Sequence, residues 1–198
     1  MGRKSNATQR REEIVWSLFE CLATSGHEKI TIKEIASRAG LPPGVIHYYF
    51  KKKDDIVAAL VASLTGTYQS LLDEALKSVT VPTKRLDRML DYLVEAFVFD
   101  RELNRAFYNL VQLGFEREEV STPLRRMLAV YRGTMEKIFR EAGAGGKSAS
   151  LSCLLVALIE GLALQWMIDP DALEKGRVRQ TVKQTIKNSL TDKKGETE

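Results

Sequence analysis

Residues 31–53, TIKEIASRAGLPPGVIHYYFKKK, constrain the fold most tightly, because they encode two short helices joined by a turn with almost no slack. Thr31 followed three residues later by Glu34 forms a capping box, and Ile32, Ile35, Ala36 and Ala39 recur on one helical face. Gly40 can take the left-handed conformation that closes a helix, and Pro42 and Pro43 pre-set the backbone for entry into the next one. That second helix spans little beyond residues 44–50. Ile46 and Phe50, four apart, pin its inner side, which leaves Val45, His47, Tyr48 and Tyr49 at or near the outside. The pattern is that of a helix-turn-helix.

Two tyrosines and a histidine on an outer helix face call for a partner. The DNA major groove admits one α-helix, and Lys51, Lys52 and Lys53 follow the helix where phosphates would lie. A helical hairpin with a solvated lysine cluster is the alternative. The short helix has no Arg, Asn or Gln, so the usual bidentate pairings to guanine or adenine are missing from it. Apolar contact, such as Val45 on a thymine methyl, and DNA shape must then carry specificity.

At these residues the chain resembles the TetR-type transcriptional regulators. The matching positions are Thr31, the pair Ile35 and Ala36, the pair Ala39 and Gly40, the pair Tyr49 and Phe50, and Lys53, within a likeness that covers roughly residues 8–60. His47 departs from the tyrosine most frequent there, which puts the identity of one phosphate contact in question but not the fold. The resemblance implies a double-stranded DNA operator as partner, with Thr31, Pro43, Gly44, Val45, His47, Tyr48, Tyr49 and Lys53 as the DNA-contacting set.

Charge placement agrees. The first 55 residues hold ten Lys or Arg against seven Asp or Glu, most of the chain's net +4. Cys21 and Cys153 lie far apart in apolar helical patterns, as buried free thiols rather than a disulfide or metal pair. The N-terminus has no apolar stretch, and the longest apolar run, residues 154–168, is broken by Glu160 and Gln165 and is short for a bilayer. A soluble cytoplasmic protein with no membrane partner is expected.

Periodicity and punctuation predict an all-α chain of about nine helices, with no competing strand pattern and no internal repeat. The first should run over about 8–25 with Ile14, Leu18 and Leu22 as its inner stripe, and the fourth over 53–78 with Ile56, Leu60, Leu64, Leu71 and Ala75. Helices over 83–99 and 101–114, a charged loop over 116–121, and helices over 123–142, 147–168 and from Asp169 and Pro170 to 190 complete the layout. The expected division is a DNA-binding domain at 1–55, a ligand-binding and dimerisation domain at 56–190 and a disordered charged tail at 191–198.

The eighth helix is apolar nearly all round, so something must cover both of its sides. Cys153, Ala157 and Gly161 continue a small-residue row at four-residue spacing, and Val178, Val182 and Ile186 form a narrow seam on the ninth helix. Two such helix pairs would make a four-helix homodimer interface, as the family resemblance also implies. Helices four to eight should surround a cavity for an unidentified, mostly apolar effector, with Phe97, Tyr108, Glu160 and Trp166 in its wall. Effector binding would shift the fourth helix, and with it the spacing of two recognition helices, away from the roughly 34–36 Å between successive major grooves. No catalytic, cofactor-binding or metal-ligating set is assigned. The reading is thus a dimeric ligand-responsive regulator, most often a repressor in such proteins, released from a palindromic operator. A helical protein-interaction module and an all-helical enzyme are the competing classes.

Overall fold

The computed structural model describes residues 2–26, 28 and 30–191, with side chains from residue 6 to 190. The described residues form nine α-helices and no strand: α1 (Gly2–Thr24), α2 (Ile32–Arg38), α3 (Pro43–Tyr49), α4 (Lys53–Leu76), α5 (Pro82–Leu93), α6 (Arg101–Glu116), α7 (Glu118–Glu141), α8 (Ser148–Ile168) and α9 (Lys175–Thr191). Apart from Thr191, the tail expected at 191–198 lies outside the described residues. Two compact units emerge, one from Met1–Thr67 with Arg101–Leu128 and one from Tyr68–Asp100 with Ala129–Glu198. This division does not follow the expected boundary at residue 55, because α6 packs along α1 and so groups with the N-terminal helices.

In the first unit Ile14, Leu18 and Leu22 are fully buried on the predicted stripe of α1. They meet α6, whose inner residues Leu103, Ala106, Leu110 and Leu113 repeat at helical spacing. Asn109, also buried, donates through Nδ2 to the carbonyls of Leu22 at 2.8 Å and Ser25 at 3.1 Å. Those carbonyls lie in and just beyond the last turn of α1, where the helix itself offers no donor. In place of the charged loop expected at 116–121, Glu116 ends α6, Arg117 alone separates the helices and residues 118–121 start α7, with Pro123 in its second turn. Glu118 and Glu119 in the first turn favour that start, since carboxylates offset the positive end of a helix. Lys52 to Glu119 (3.4 Å) and Arg117 to Asp54 (3.0 Å) then join the starts of α7 and α4.

The second unit is built on Leu72 and Leu76 of α4, the inner stripe of α5, Ile138 and Phe139 of α7, and Leu151, Leu155 and Ile159 of α8. The expected α4 stripe holds at Ile56, Leu60 and Leu64, which are buried, and shifts by one residue only in its second half, where Leu71 is half-exposed while Leu72 and Leu76 are buried. The helix predicted over 83–99 is interrupted, because α5 gives way to a wide i→i+5 turn at Val94–Val98. Leu86, Met89, Leu90 and Leu93 set a stripe that an unbroken helix would continue at Phe97. With the extra residue in the turn, Val98 takes the core position at 0 % exposure and Phe97 is only partly buried.

α9 also departs from expectation. Pro170–Ala172 form a separate single turn, and α9 begins at Lys175, where Glu174 accepts from the Gly176 and Arg177 amides at 2.7 Å each. Those two hydrogen bonds hold the Glu174 carboxyl below its usual range. Val178, Val182 and Ile186, expected at a dimer interface, are buried at 6 %, 2 % and 0 % within their own chain. A narrow apolar seam does mark a helix packed along one edge, but that edge is filled by α5 and α8 of the same chain.

Candidate nucleic-acid interface, effector site and uncovered helix face

The helix-turn-helix forms as its sequence dictates. Thr31 Oγ1 accepts the Glu34 amide at 3.2 Å, capping α2, and Ile35 and Ala36 are buried on its inner face. Gly40 adopts φ +65°, while the Leu41 amide returns to the Ala36 carbonyl at 2.9 Å, the signature of a glycine-closed helix end. A helix as short as α3 has little stability alone, so its anchors matter. Ile46 and Phe50 are both buried, and Arg11 of α1 stacks its guanidinium 4.0 Å over the Phe50 ring while donating to the Tyr49 carbonyl at 2.9 Å. Arg11 was invisible in the sequence because its hydrogen-bond partner Tyr49 lies 38 residues away, with Phe50 next to it.

The outer side of α3 carries the predicted residues unevenly. Tyr48 is 82 % exposed, Pro43, Gly44 and His47 are exposed, and Val45 and Tyr49 are half-buried. Thr31 is exposed beside the start of α2. Lys53 is half-buried, with Nζ donating to the Ile30 carbonyl at 3.0 Å. Burial first, and Arg117 second, push its ammonium below the usual lysine range against the opposing pull of Asp54. Of the three lysines, Lys51 is exposed with no partner among the described residues, while Lys52 is engaged by Glu119.

In the second unit the wide turn gathers aromatic rings. Phe97 lies 4.8 Å from Tyr68, 6.3 Å from Tyr92 and 6.4 Å from Tyr131 between ring centroids. The Tyr92 hydroxyl donates to the Tyr68 carbonyl at 3.4 Å. Burial, with help from Asp100, pushes the Tyr68 phenol up to about 12. Just beyond the turn, Phe99 packs edge-on to Trp166 at 5.6 Å and lies under the Lys175 ammonium at 5.8 Å. Glu160 sits on α8, which packs against the turn, and burial raises its carboxyl above the usual range. The structure thus places Phe97, Glu160 and Trp166 in one unit, but Tyr108 in the other, where it packs on Phe107. Tyr68 was missed because helical spacing alone does not tell which tyrosine meets the displaced Phe97.

α8 buries Leu151, Leu155, Ile159 and Ala163 and leaves the opposite face uncovered. Cys153, Leu154, Ala157 and Leu164 are exposed there, as is Ile168 at 76 %, and Gly161 continues the row half-buried. Cys153 was expected to be buried; it is exposed, whereas Cys21 is buried. A Cβ added at Gly161 would meet nothing within 4 Å. Gly145–Ile168, like α4, is long and apolar enough to cross a membrane by length and composition, which residues 154–168 alone did not indicate. The inner stripe and the uncovered face together account for that apolarity in α8.

A family model described as "BetI-type transcriptional repressor, C-terminal" matches residues 82–191, more than half of the chain, and one for bacterial regulatory proteins of the tetR family matches residues 17–60. The chain belongs to the TetR family of transcriptional regulators. It is 28 % identical over 122 residues to the HTH-type transcriptional regulator BetI of Rhizobium meliloti, an alignment covering 62 % of this chain and 58 % of that protein. Among solved structures, a transcriptional regulator from Pseudomonas aeruginosa PAO1 superposes with a TM-score of 0.83 at 20 % identity, covering 93 % of this chain and 92 % of that one. A transcriptional regulator from Saccharomonospora viridis in complex with choline gives 0.78 at 20 % identity, with 91 % and 96 % covered.

Family membership makes the chain a DNA-binding transcriptional regulator. The TetR-family motif falls on α2 and α3, with the apolar positions buried and the polar aromatic ones outside. The BetI-type half contains the wide turn, most of the aromatic cluster and the uncovered face of α8.

Proposed function

We propose that this TetR-family protein is a homodimeric repressor that binds a palindromic operator and is released by a mostly apolar small molecule with a cationic head. The uncovered apolar face of α8 carries the reading. Leu154, Ala157, Leu164 and Ile168 form one continuous stripe around Gly161, and a second copy of the helix would cover it by a self-complementary, two-fold contact. Two subunits then present two α3 helices to successive major grooves, with Tyr48, Val45 and His47 toward bases and Thr31, Tyr49, Lys51 and Lys53 toward phosphates. Pro43 and Gly44 allow close backbone approach. A cytoplasmic location follows from such a role.

For the effector, the cluster of Tyr68, Tyr92, Phe97 and Tyr131 offers ring faces that attract a desolvated cation, and Glu160 offers a carboxylate whose burial a cation would offset. The choline bound by the Saccharomonospora viridis protein has that chemistry. The direct test is a gel shift on genomic fragments selected by the protein, titrated with choline chloride, beside sedimentation of the free protein. A dimer whose complex choline dissolves is the expected result. A monomer that binds operator, or a complex indifferent to cations and to apolar ligands alike, would overturn the reading.

A further inference from the structure

Among the described residues, four ion pairs connect α9 with α5 and with the wide turn that follows it. Lys187 Nζ lies 2.6 Å from Asp87 Oδ1, Lys183 Nζ donates to both oxygens of Asp91 at 2.9 Å, and Arg179 reaches Glu95 at 3.4 Å and Asp91 at 3.9 Å. The acids at 87, 91 and 95 and the bases at 187, 183 and 179 each recur every four residues in opposite order, as two antiparallel helices require.

The ladder is not uniform along its length. Its first two rungs, Asp87 with Lys187 and Asp91 with Lys183, join regular helix to regular helix. Arg179 differs. Asp91 belongs to the last turn of α5 and Glu95 is the second residue of the wide turn, so this one guanidinium spans the change of helical pitch. A guanidinium presents its donors in a rigid fork, which holds two carboxylates at a defined separation where a lysine would hold one loosely.

The same turn decides where Phe97 goes. Continued at α-helical pitch, the stripe through Leu90 and Leu93 would bring Phe97 into the core; with the turn opened, Val98 fills that position and Phe97 meets Tyr68, Tyr92 and Tyr131. We propose that Arg179 is a positioning residue for the effector site: by bridging Asp91 and Glu95 it favours the open turn and keeps Phe97 among the tyrosines. The consequence for binding rests on the effector reading above; the consequence for the turn does not. Each carboxylate and the guanidinium are partly exposed, so the effect is modest and local rather than a large share of stability.

The test is amide hydrogen exchange on the full chain, read segment by segment, for the wild type, Arg179→Gln, Arg179→Lys and Lys187→Gln. Arg179→Gln should speed exchange at residues 94–99 by about fivefold while leaving residues 86–90 unchanged, because a partly exposed ion pair is worth at most about that factor. Arg179→Lys should fall between the two, and Lys187→Gln should leave 94–99 unaltered. Unchanged exchange at 94–99 in Arg179→Gln, or equal acceleration by Lys187→Gln, overturns the proposal. Calorimetric titration with choline chloride separates it from the reading it rests on. Affinity reduced about fivefold in Arg179→Gln and kept in Lys187→Gln supports both. Equal affinity in wild type and Arg179→Gln overturns the link to the site. A wild type that ignores choline, with the exchange effect intact, contradicts the cationic effector and leaves the role in the turn standing.

Discussion

α3 and α8 both turn an unburied face outward, and the faces are chemically opposite. α3 is seven residues long, is held by the buried Ile46 and by the Phe50 that follows it, and exposes a tyrosine and a histidine beside Lys51. α8 is 21 residues long, is held by a full inner stripe, and exposes leucine, isoleucine, alanine and cysteine. A polar aromatic face flanked by cations suits a polyanion whose base edges offer both hydrogen bonds and methyl groups. An aliphatic face suits only another apolar surface. Exposure alone therefore does not define function; the chemistry of what is exposed does.

Gly161→Arg should break the α8 side most severely. With open space around the added Cβ in its own chain, the variant folds, and its charged side chain prevents close approach of a second helix. Sedimentation should find a monomer, and operator affinity should fall by about 10²–10⁴-fold as the two half-sites lose their linkage. A folded dimer with wild-type operator affinity would remove this face from the interface.

Within the helix-turn-helix, Phe50→Ala and Tyr48→Ala separate anchor from reader. Phe50→Ala leaves a core cavity and removes the ring under Arg11, so thermal unfolding should show a loss of about 3–5 kcal/mol. Tyr48→Ala should change stability by less than about 0.5 kcal/mol while altering relative affinity among operator variants. Equal stability loss in both would mean that Tyr48 is a packing residue.

Lys51→Ala and Lys53→Ala sharpen the phosphate side. Each should weaken binding to all sequences alike and flatten the salt dependence by about one unit per contact. Lys53→Ala should also lower stability by about 1 kcal/mol through loss of its bond to the Ile30 carbonyl, which Lys51→Ala leaves intact. A Lys53→Ala protein with wild-type salt dependence would confine that residue to structure.

The smallest effect concerns pH. Because burial raises the Glu160 carboxyl above the ordinary carboxylate range, the folded protein holds that proton more tightly than the unfolded chain. Its contribution to stability is therefore complete below the ordinary carboxylate range and declines as pH rises toward the raised value. Choline binding should strengthen across the same window as the carboxylate forms. Glu160→Gln should flatten both dependences, and a pH-dependence of binding that survives it would point to another group.

Much of the first unit was legible because its determinants are local. Thr31 caps within three residues, Gly40 closes within four, and Ile46 and Phe50 share one short helix, so each can be read without knowing what packs where. Asn109 and Arg11 could not be read, since their acceptors are carbonyls remote in sequence. In the second unit the limiting information was tertiary. The spacing of Val178, Val182 and Ile186 correctly indicates a packed edge, but only the fold shows that α5 and α8 of the same chain fill it. The wide turn likewise reflects competition between Phe97 and Val98 for one core position: periodicity favours Phe97, and only the packed fold shows Val98 taking it.

The central claim, that a pair of α3 helices reads DNA as a two-fold unit, is tested most directly by footprinting the protein on genomic fragments it selects. The account predicts protection of an inverted repeat whose half-site centres lie about 34–36 Å apart on one face of the duplex. Protection without dyad symmetry, or binding with no preferred sequence at physiological salt, would contradict it.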